Sequence, residues 1–112
     1  MPAPDPNEPL VSSYQDDPDM VDLVREFVGE MPRRLVALEA AWRERQVNQL
    51  TRLAHQLKGC CAGYGFPRIG VAAATLEERL RALESPAAEQ QLEALKREFA
   101  ELMDLCARAS VK

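Results

Sequence analysis

Residues 52–67, with the sequence RLAHQLKGCCAGYGFP, carry the pattern of one helix that ends in a turn and is followed by another. Gly63 and Gly65 are helix stop signals, and Pro67 suits the first position of the next helix. The stretch also holds His55, the single histidine of the chain. The pattern predicts two consecutive helices joined by a tight connection, with the histidine inside the first of them.

Four amphipathic helices are predicted from apolar residues that recur every three or four positions. The helix that contains the quoted stretch spans about residues 48–62, and its apolar face consists of Leu50, Leu53, Ala54, Leu57 and Cys61. The preceding helix carries Met20, Leu23, Val24, Phe27, Met31, Leu35, Leu38 and Trp42. The following helix spans about residues 67–84 and carries Ile69, Ala72, Ala73, Leu76, Leu80 and Leu83. The last helix carries Leu92, Leu95, Phe99, Leu102 and Cys106.

Prolines and polar residues set the expected limits of these helices. Pro32 predicts a kink or a short break near Met31, and Ser85 followed by Pro86 predicts the N-cap and first position of the fourth helix. Residues 1–10 contain four prolines and little to bury, so they predict a disordered lead. Residues 11–20 predict a short extra helical turn, with residues 17–19 as its start signal.

Short loops between four amphipathic helices are typical of an antiparallel up-down bundle. We therefore predict an all-α, four-helix bundle over residues 11–110, with the possible short extra helix at its N-terminus. No segment shows the sustained alternation expected of a strand.

Composition excludes several classes of function. The formal net charge of −4 and the lack of a long basic run disfavour nucleic acid as a partner. No apolar run has the roughly 18 residues that a membrane span needs, and the N-terminus lacks the pattern of a signal peptide. Three cysteines, two of them adjacent, do not suggest a disulfide framework. We expect a monomeric cytoplasmic protein.

The helical pattern places His55 on the outward side of its helix. With Leu50 as the origin, His55 lies at about 140°, Lys58 at about 80° and Gly59 at about 180°, whereas the apolar set clusters within about 60°. A glycine inside a helix costs about 1 kcal/mol relative to alanine, so Gly59 on an exposed face suggests a functional site. A neutral imidazole is a competent nucleophile, Lys58 could offset phosphate charge, and Gly59 could clear the approach. The pattern therefore favours phosphoryl transfer, and without a nucleotide-binding motif the phosphoryl group must come from a partner.

Three segments resemble the histidine-containing phosphotransfer (Hpt) domain of multistep two-component signalling. They are AHQLKG at residues 54–59, GYGFPRIGVAAATLEERL at residues 63–80 and, upstream, DLVREFVGEMPRRLVALEAA at residues 22–41. The resemblance implies that His55 accepts a phosphoryl group at Nε2 from a receiver-domain aspartyl phosphate and passes it to another receiver. The chain would then be a carrier without autokinase activity, whose partners are response-regulator receivers or a hybrid histidine kinase.

The same resemblance implies roles for the neighbours of His55. Lys58 would steady the phosphohistidine, Gly59 would admit the receiver's active site, and Glu77 would hydrogen-bond the other ring nitrogen and keep Nδ1 protonated. Magnesium would belong to the receiver, so no cofactor is assigned to this chain. Arg52 and Gln56 border His55 and are candidate partner contacts. The charged run at residues 77–81, EERLR, is otherwise assigned to a solvated helix face with i,i+4 ion pairs of modest value.

Two alternatives stay open. The chain could be an Hpt-like docking module that binds receivers or kinases without phosphate turnover. The second alternative is a metal or haem site formed by His55 with Cys60 and Cys61. Adjacent helical residues point about 100° apart, however, so the two cysteines can hardly share one ion. Cys61 is expected to fill the core and Cys60 to lie at its boundary.

Overall fold

The computed structural model describes residues 8–84 and 89–111 and contains a bundle of four long helices. Helices α1 (Val21–Arg43), α2 (Val47–Gly63) and α3 (Pro67–Arg81) are followed by a short α4 (Glu89–Glu93) and by α5 (Lys96–Arg108). Helix α2 packs against α1 and α3, and α5 packs against α3 and α1, so the long helices form a closed ring. The predicted four-helix bundle is confirmed.

The core of the bundle consists of the apolar stripes that the helical spacing predicted. Fully buried side chains come from every long helix; they include Val24, Leu38, Leu50, Leu57, Cys61, Ile69, Leu76, Leu102 and Cys106. Two aromatic pairs stabilise it further, since Phe27 stacks on Tyr64 at 4.7 Å and Trp42 stacks on Phe99 at 4.5 Å between ring centroids. The core thereby fixes the relative positions of α2 and α3, on which the site described below depends.

The break predicted at Pro32 is absent. Helix α1 continues through Pro32, which is exposed, while Met31 and Leu38 on the opposite face are buried. Because the proline ring faces outward and the apolar face packs on both sides of it, the helix continues in spite of the lost backbone donor.

The C-terminal part differs from the single fourth helix that the sequence predicts. The predicted N-cap Ser85 and first helical residue Pro86 lie outside the described residues. From Glu89 the chain forms two helices, α4 and α5, rather than one. The Leu95 N–H bonds to the Leu92 carbonyl, three residues back, so a tightened turn separates them. Helix α3 ends at Arg81, three residues before the predicted end at Glu84.

The N-terminal segment forms strand pairing and turns rather than an extra helix. Strand β1 (Leu10–Val11) pairs in parallel with β2 (Ala109–Ser110), so the all-α prediction missed a two-residue ladder. Leu10, which the sequence assigned to the disordered lead, belongs to this ladder, and residues 1–7 of that lead lie outside the described residues. Residues 13–16 and 18–20 form turns, and the Asp17 carboxylate accepts a hydrogen bond from the Asp19 N–H at 2.8 Å. The extra helix predicted here is therefore wrong.

Gly65 joins the N-terminal segment to the turn between α2 and α3. Its φ is +83°, and its carbonyl accepts a hydrogen bond from the Ser13 N–H at 3.0 Å. A Cβ at this position would lie 2.5 Å from Ser12 Oγ and 2.9 Å from the Ser13 backbone nitrogen. Only glycine fits this backbone and this space.

Gly65→Ala is expected to lower the free energy of unfolding by about 2 to 4 kcal/mol, because left-handed strain adds to steric overlap with backbone atoms. Chemical denaturation followed by circular dichroism measures the loss. Gly29→Ala is the matched control, since a Cβ at Gly29 inside α1 meets nothing within 4 Å and alanine favours helix. Equal stabilities of the two variants would contradict this role for Gly65.

Candidate functional site around His55

Helix α2 presents His55 to solvent. The flanking Ala54 and Leu57 are buried in the core, whereas the His55 side chain is 59% exposed. The apolar residues of α2 define the inner face of the helix, so the position between them turns outward. The outward orientation predicted from the helical spacing is confirmed.

Helix α3 supplies Glu77, whose carboxylate Oε2 lies 2.8 Å from His55 Nδ1. Glu77 is only 5% exposed, although it is charged. Helices α2 and α3 pack closely along their length: a Cβ at Gly70 of α3 would be in van der Waals contact, 3.9 Å from the Lys58 carbonyl oxygen of α2. Because the two helices pack together, the Glu77 carboxylate of α3 reaches the imidazole of α2.

Two cations surround the same carboxylate. Lys58 Nζ lies 2.8 Å from Glu77 Oε1, while Arg81 donates from Nε at 3.0 Å and from its terminal NH2 nitrogen at 2.8 Å to Oε2. The ion pair between Glu77 and Arg81 has the i,i+4 spacing expected of the charged run at residues 77–81. The sequence analysis does not connect Arg81 with the site, although Glu77, four residues earlier, is the signal that links them.

These contacts keep Glu77 ionised. Hydrogen bonds from Lys58, then Arg81 and then His55 lower the pKa of the Glu77 carboxyl from 4.5 to about 2, although its burial acts in the opposite direction. An ionised carboxylate can only accept hydrogen bonds, so Nδ1 of His55 must be the donor. In the neutral imidazole the lone pair is then on Nε2, the ring nitrogen that Glu77 does not contact.

The remaining sequence-predicted residues lie on the exposed side of α2. A Cβ at Gly59 would meet nothing within 4 Å, so the surface next to His55 is open there. Arg52 and Gln56 are exposed, and the Arg52 guanidinium donates to the side-chain oxygen of Gln49. The structure thus places His55 and Lys58 of α2 in direct contact with Glu77 of α3. Gly59, Arg52 and Gln56 lie near His55 on α2.

A model of the Hpt domain family matches residues 22–105, most of the chain and every helix of the bundle. The chain belongs to the Hpt domain family. As an Hpt domain it is a phosphotransfer carrier of phosphorelay signalling rather than a catalytic enzyme, and its interactions are with proteins of two-component signalling. No curated protein and no solved structure gives a significant match to it.

The lowered pKa of Glu77 predicts an acid-dependent loss of stability of this Hpt domain. A carboxyl whose pKa is depressed on folding stabilises the fold above its unfolded value, near 4.5, and this contribution is lost as the pH falls towards 2. Denaturation midpoints measured between pH 6 and pH 2 should therefore fall more steeply for the natural chain than for Glu77→Gln. Glu78→Gln, which changes the exposed neighbour, should keep the natural slope. Identical slopes for all three proteins would contradict the ion cluster.

The three cysteines of this Hpt domain differ in burial. No group of three or more histidine, cysteine, aspartate or glutamate residues within residues 8–84 and 89–111 is arranged to hold a metal ion. Cys61 and Cys106 are buried, and burial raises the pKa of each thiol to about 12. Cys61 fills the core and Cys60 is half-buried at its boundary, as the helical spacing predicts.

Among the described residues, no helix is long and apolar enough to cross a membrane.

Proposed function

We propose that the chain is a phosphorelay intermediate in which His55 accepts a phosphoryl group from a receiver-domain aspartyl phosphate and passes it to another receiver. The observation that carries this proposal is the exposed imidazole whose Nδ1 is held 2.8 Å from a buried, ionised carboxylate. That arrangement leaves Nε2 as the nucleophilic atom and fixes the plane of the ring.

The transfer is an attack by Nε2 on phosphorus. The Nε2 lone pair forms the P–N bond, the P–O bond to the receiver's aspartate breaks, and its electron pair leaves on the aspartate carboxylate. Nδ1 keeps its proton, so the ring becomes positively charged as the bond forms. Glu77 stabilises this charge from 2.8 Å, because its own charge is already in place before the reaction. In the onward step a second receiver's aspartate attacks phosphorus and the P–N electron pair returns to Nε2.

Lys58 and Gly59 support the same reaction from the neighbouring turn of α2. The Lys58 ammonium group has three donors, and its contact with Glu77 Oε1 occupies one of them. The others can approach the oxygens of a phosphoryl group on the adjacent imidazole. Gly59 leaves the surface open for the receiver's active site, with Arg52 and Gln56 at its edge. The magnesium ion that would offset phosphate charge during transfer is expected on the receiver.

Labelling with a phosphorylated receiver tests this proposal. Incubation with a radiolabelled phospho-receiver should transfer the label to the chain, and the product should be acid-labile and base-stable, as a phosphohistidine is. Peptide mapping under alkaline conditions should place the label on residue 55. Transfer to a serine, an acidic residue or no residue at all, from receivers that phosphorylate another Hpt domain, would contradict the proposal.

A further inference from the structure

Arg81 contacts Glu77 in a way that leaves its guanidinium only partly satisfied. Arginine and carboxylate pair best through two parallel bonds, one to each oxygen. Here Lys58 occupies Oε1, so both donors of Arg81 fall on Oε2, which also accepts from His55 Nδ1. One oxygen thus accepts three donors, and the Arg81 side chain is 61% exposed.

A phosphoryl group on His55 brings negative charge to a cluster that is positive at rest. Lys58 and Arg81 together exceed the charge of Glu77, so the resting cluster of these three residues carries one net positive charge. A phosphoryl group brings up to about two negative charges and three strong acceptor oxygens. Arg81 and His55 Nδ1 each lie 2.8 Å from the same Glu77 oxygen, which places the guanidinium beside the imidazole.

We infer that Arg81 binds Glu77 while His55 is unphosphorylated and moves to the phosphoryl group once His55 is phosphorylated. There it is a second phosphate-binding cation besides Lys58. This inference rests on the proposed function, since it concerns the phosphorylated state of the same histidine. Glu77 then has two tasks: it orients the imidazole, and it keeps a cation within reach while the histidine is unphosphorylated. The phosphoryl oxygens offer the guanidinium the two-point contact that the shared Glu77 oxygen denies it.

Phosphorus-31 NMR of the phosphorylated chain tests the inference without any partner protein. The natural chain, Arg81→Gln, Arg81→Lys and Arg79→Gln are each incubated with phosphoramidate, a small phosphoryl donor whose leaving group is ammonia. Arg79 is the matched control because it lies on the same helix but pairs with Glu98 at 3.2 Å. The measured quantity is the pH at which the doubly charged phosphoryl group takes up one proton and becomes singly charged, a pH that a nearby cation lowers.

Removal of the Arg81 charge should raise that pH by about half a unit relative to the natural chain. Arg81→Lys should recover most of the shift, and Arg79→Gln should titrate like the natural chain. Equal titration of Arg81→Gln and Arg79→Gln on phosphorylated His55 would overturn the inference while leaving the proposed function intact. If His55 takes up no phosphoryl group in any variant, the proposed function itself fails. If Arg81→Gln does not fold, the nitrogen-15 chemical shift of Arg81 Nε in the natural chain tests the inference instead. This chemical shift should change when His55 is phosphorylated, and an unchanged value would overturn the inference.

Discussion

His55→Gln should reduce phosphoryl labelling of the chain from stoichiometric to background while leaving the bundle folded. Glutamine has no nucleophilic nitrogen, so no P–N bond can form at this position. Its side-chain amide can still donate to Glu77 Oε2, which replaces the bond now made by Nδ1. The effect is expected to be total because His55 is the single histidine of the chain, and no other imidazole can take its place.

The measurement compares label transfer with receiver binding in the same variant. Label transfer from a phospho-receiver should vanish, whereas the dissociation constant for that receiver, measured by calorimetry, should change by less than about threefold, since an exposed side chain of similar size is retained. Arg97→Gln, an exposed position on α5, is the control that should retain both transfer and binding. If the receiver's signalling output in cells persists unchanged in His55→Gln, the chain acts as a docking module without phosphate turnover, and the relay proposal fails.

The parts of the site that the sequence predicted are those that lie close together on one helix. His55, Lys58 and Gly59 share a single turn of α2, so the helical period alone places them on one exposed surface. The end of α2 and the start of α3 at Pro67 also follow from local signals, namely glycines after the apolar stripe and a proline at the first helical position. Neighbouring residues are sufficient to predict these helix limits, whereas the contact of Gly65 with the N-terminal segment is not visible in them.

The parts that the sequence did not predict depend on contacts between distant segments. The ladder between β1 and β2 joins residues about a hundred positions apart, and two-residue strands are too short for any alternation to be visible. The Glu77 position was obtained by resemblance, but its burial under two cations depends on the close packing of α3 on α2. The contact of Arg81 with the site depends on the same burial. Because the Glu77 carboxylate is buried beside His55, the Arg81 guanidinium one turn further along α3 bonds to it and so lies at the site.

Gly59 variants should separate access to His55 from the chemistry of His55. A helical side chain leans towards the N-terminus and covers the turn before its own Cα, so a side chain at position 59 would lie over His55. Space for it exists, since a Cβ meets nothing within 4 Å. Gly59→Leu is therefore expected to fold, with the helix favoured by up to about 1 kcal/mol relative to glycine. Transfer from a phospho-receiver should nevertheless fall by about a hundredfold, because a displacement of about 1 Å at the reacting atoms has that cost.

Two comparisons make the Gly59 result specific. Gly59→Ala adds one methyl group with the same gain in helix propensity, so its transfer rate should fall far less than that of the leucine variant. Phosphoramidate is small enough to pass beside a leucine, so labelling of His55 by this donor should change by only a few-fold in either variant. A loss of labelling by both donors would mean that the leucine disturbs the imidazole itself, and undiminished transfer from the receiver would show that the partner does not approach over Gly59. The contrast between the two donors thus measures how much of the reaction depends on room for a second protein beside an exposed imidazole.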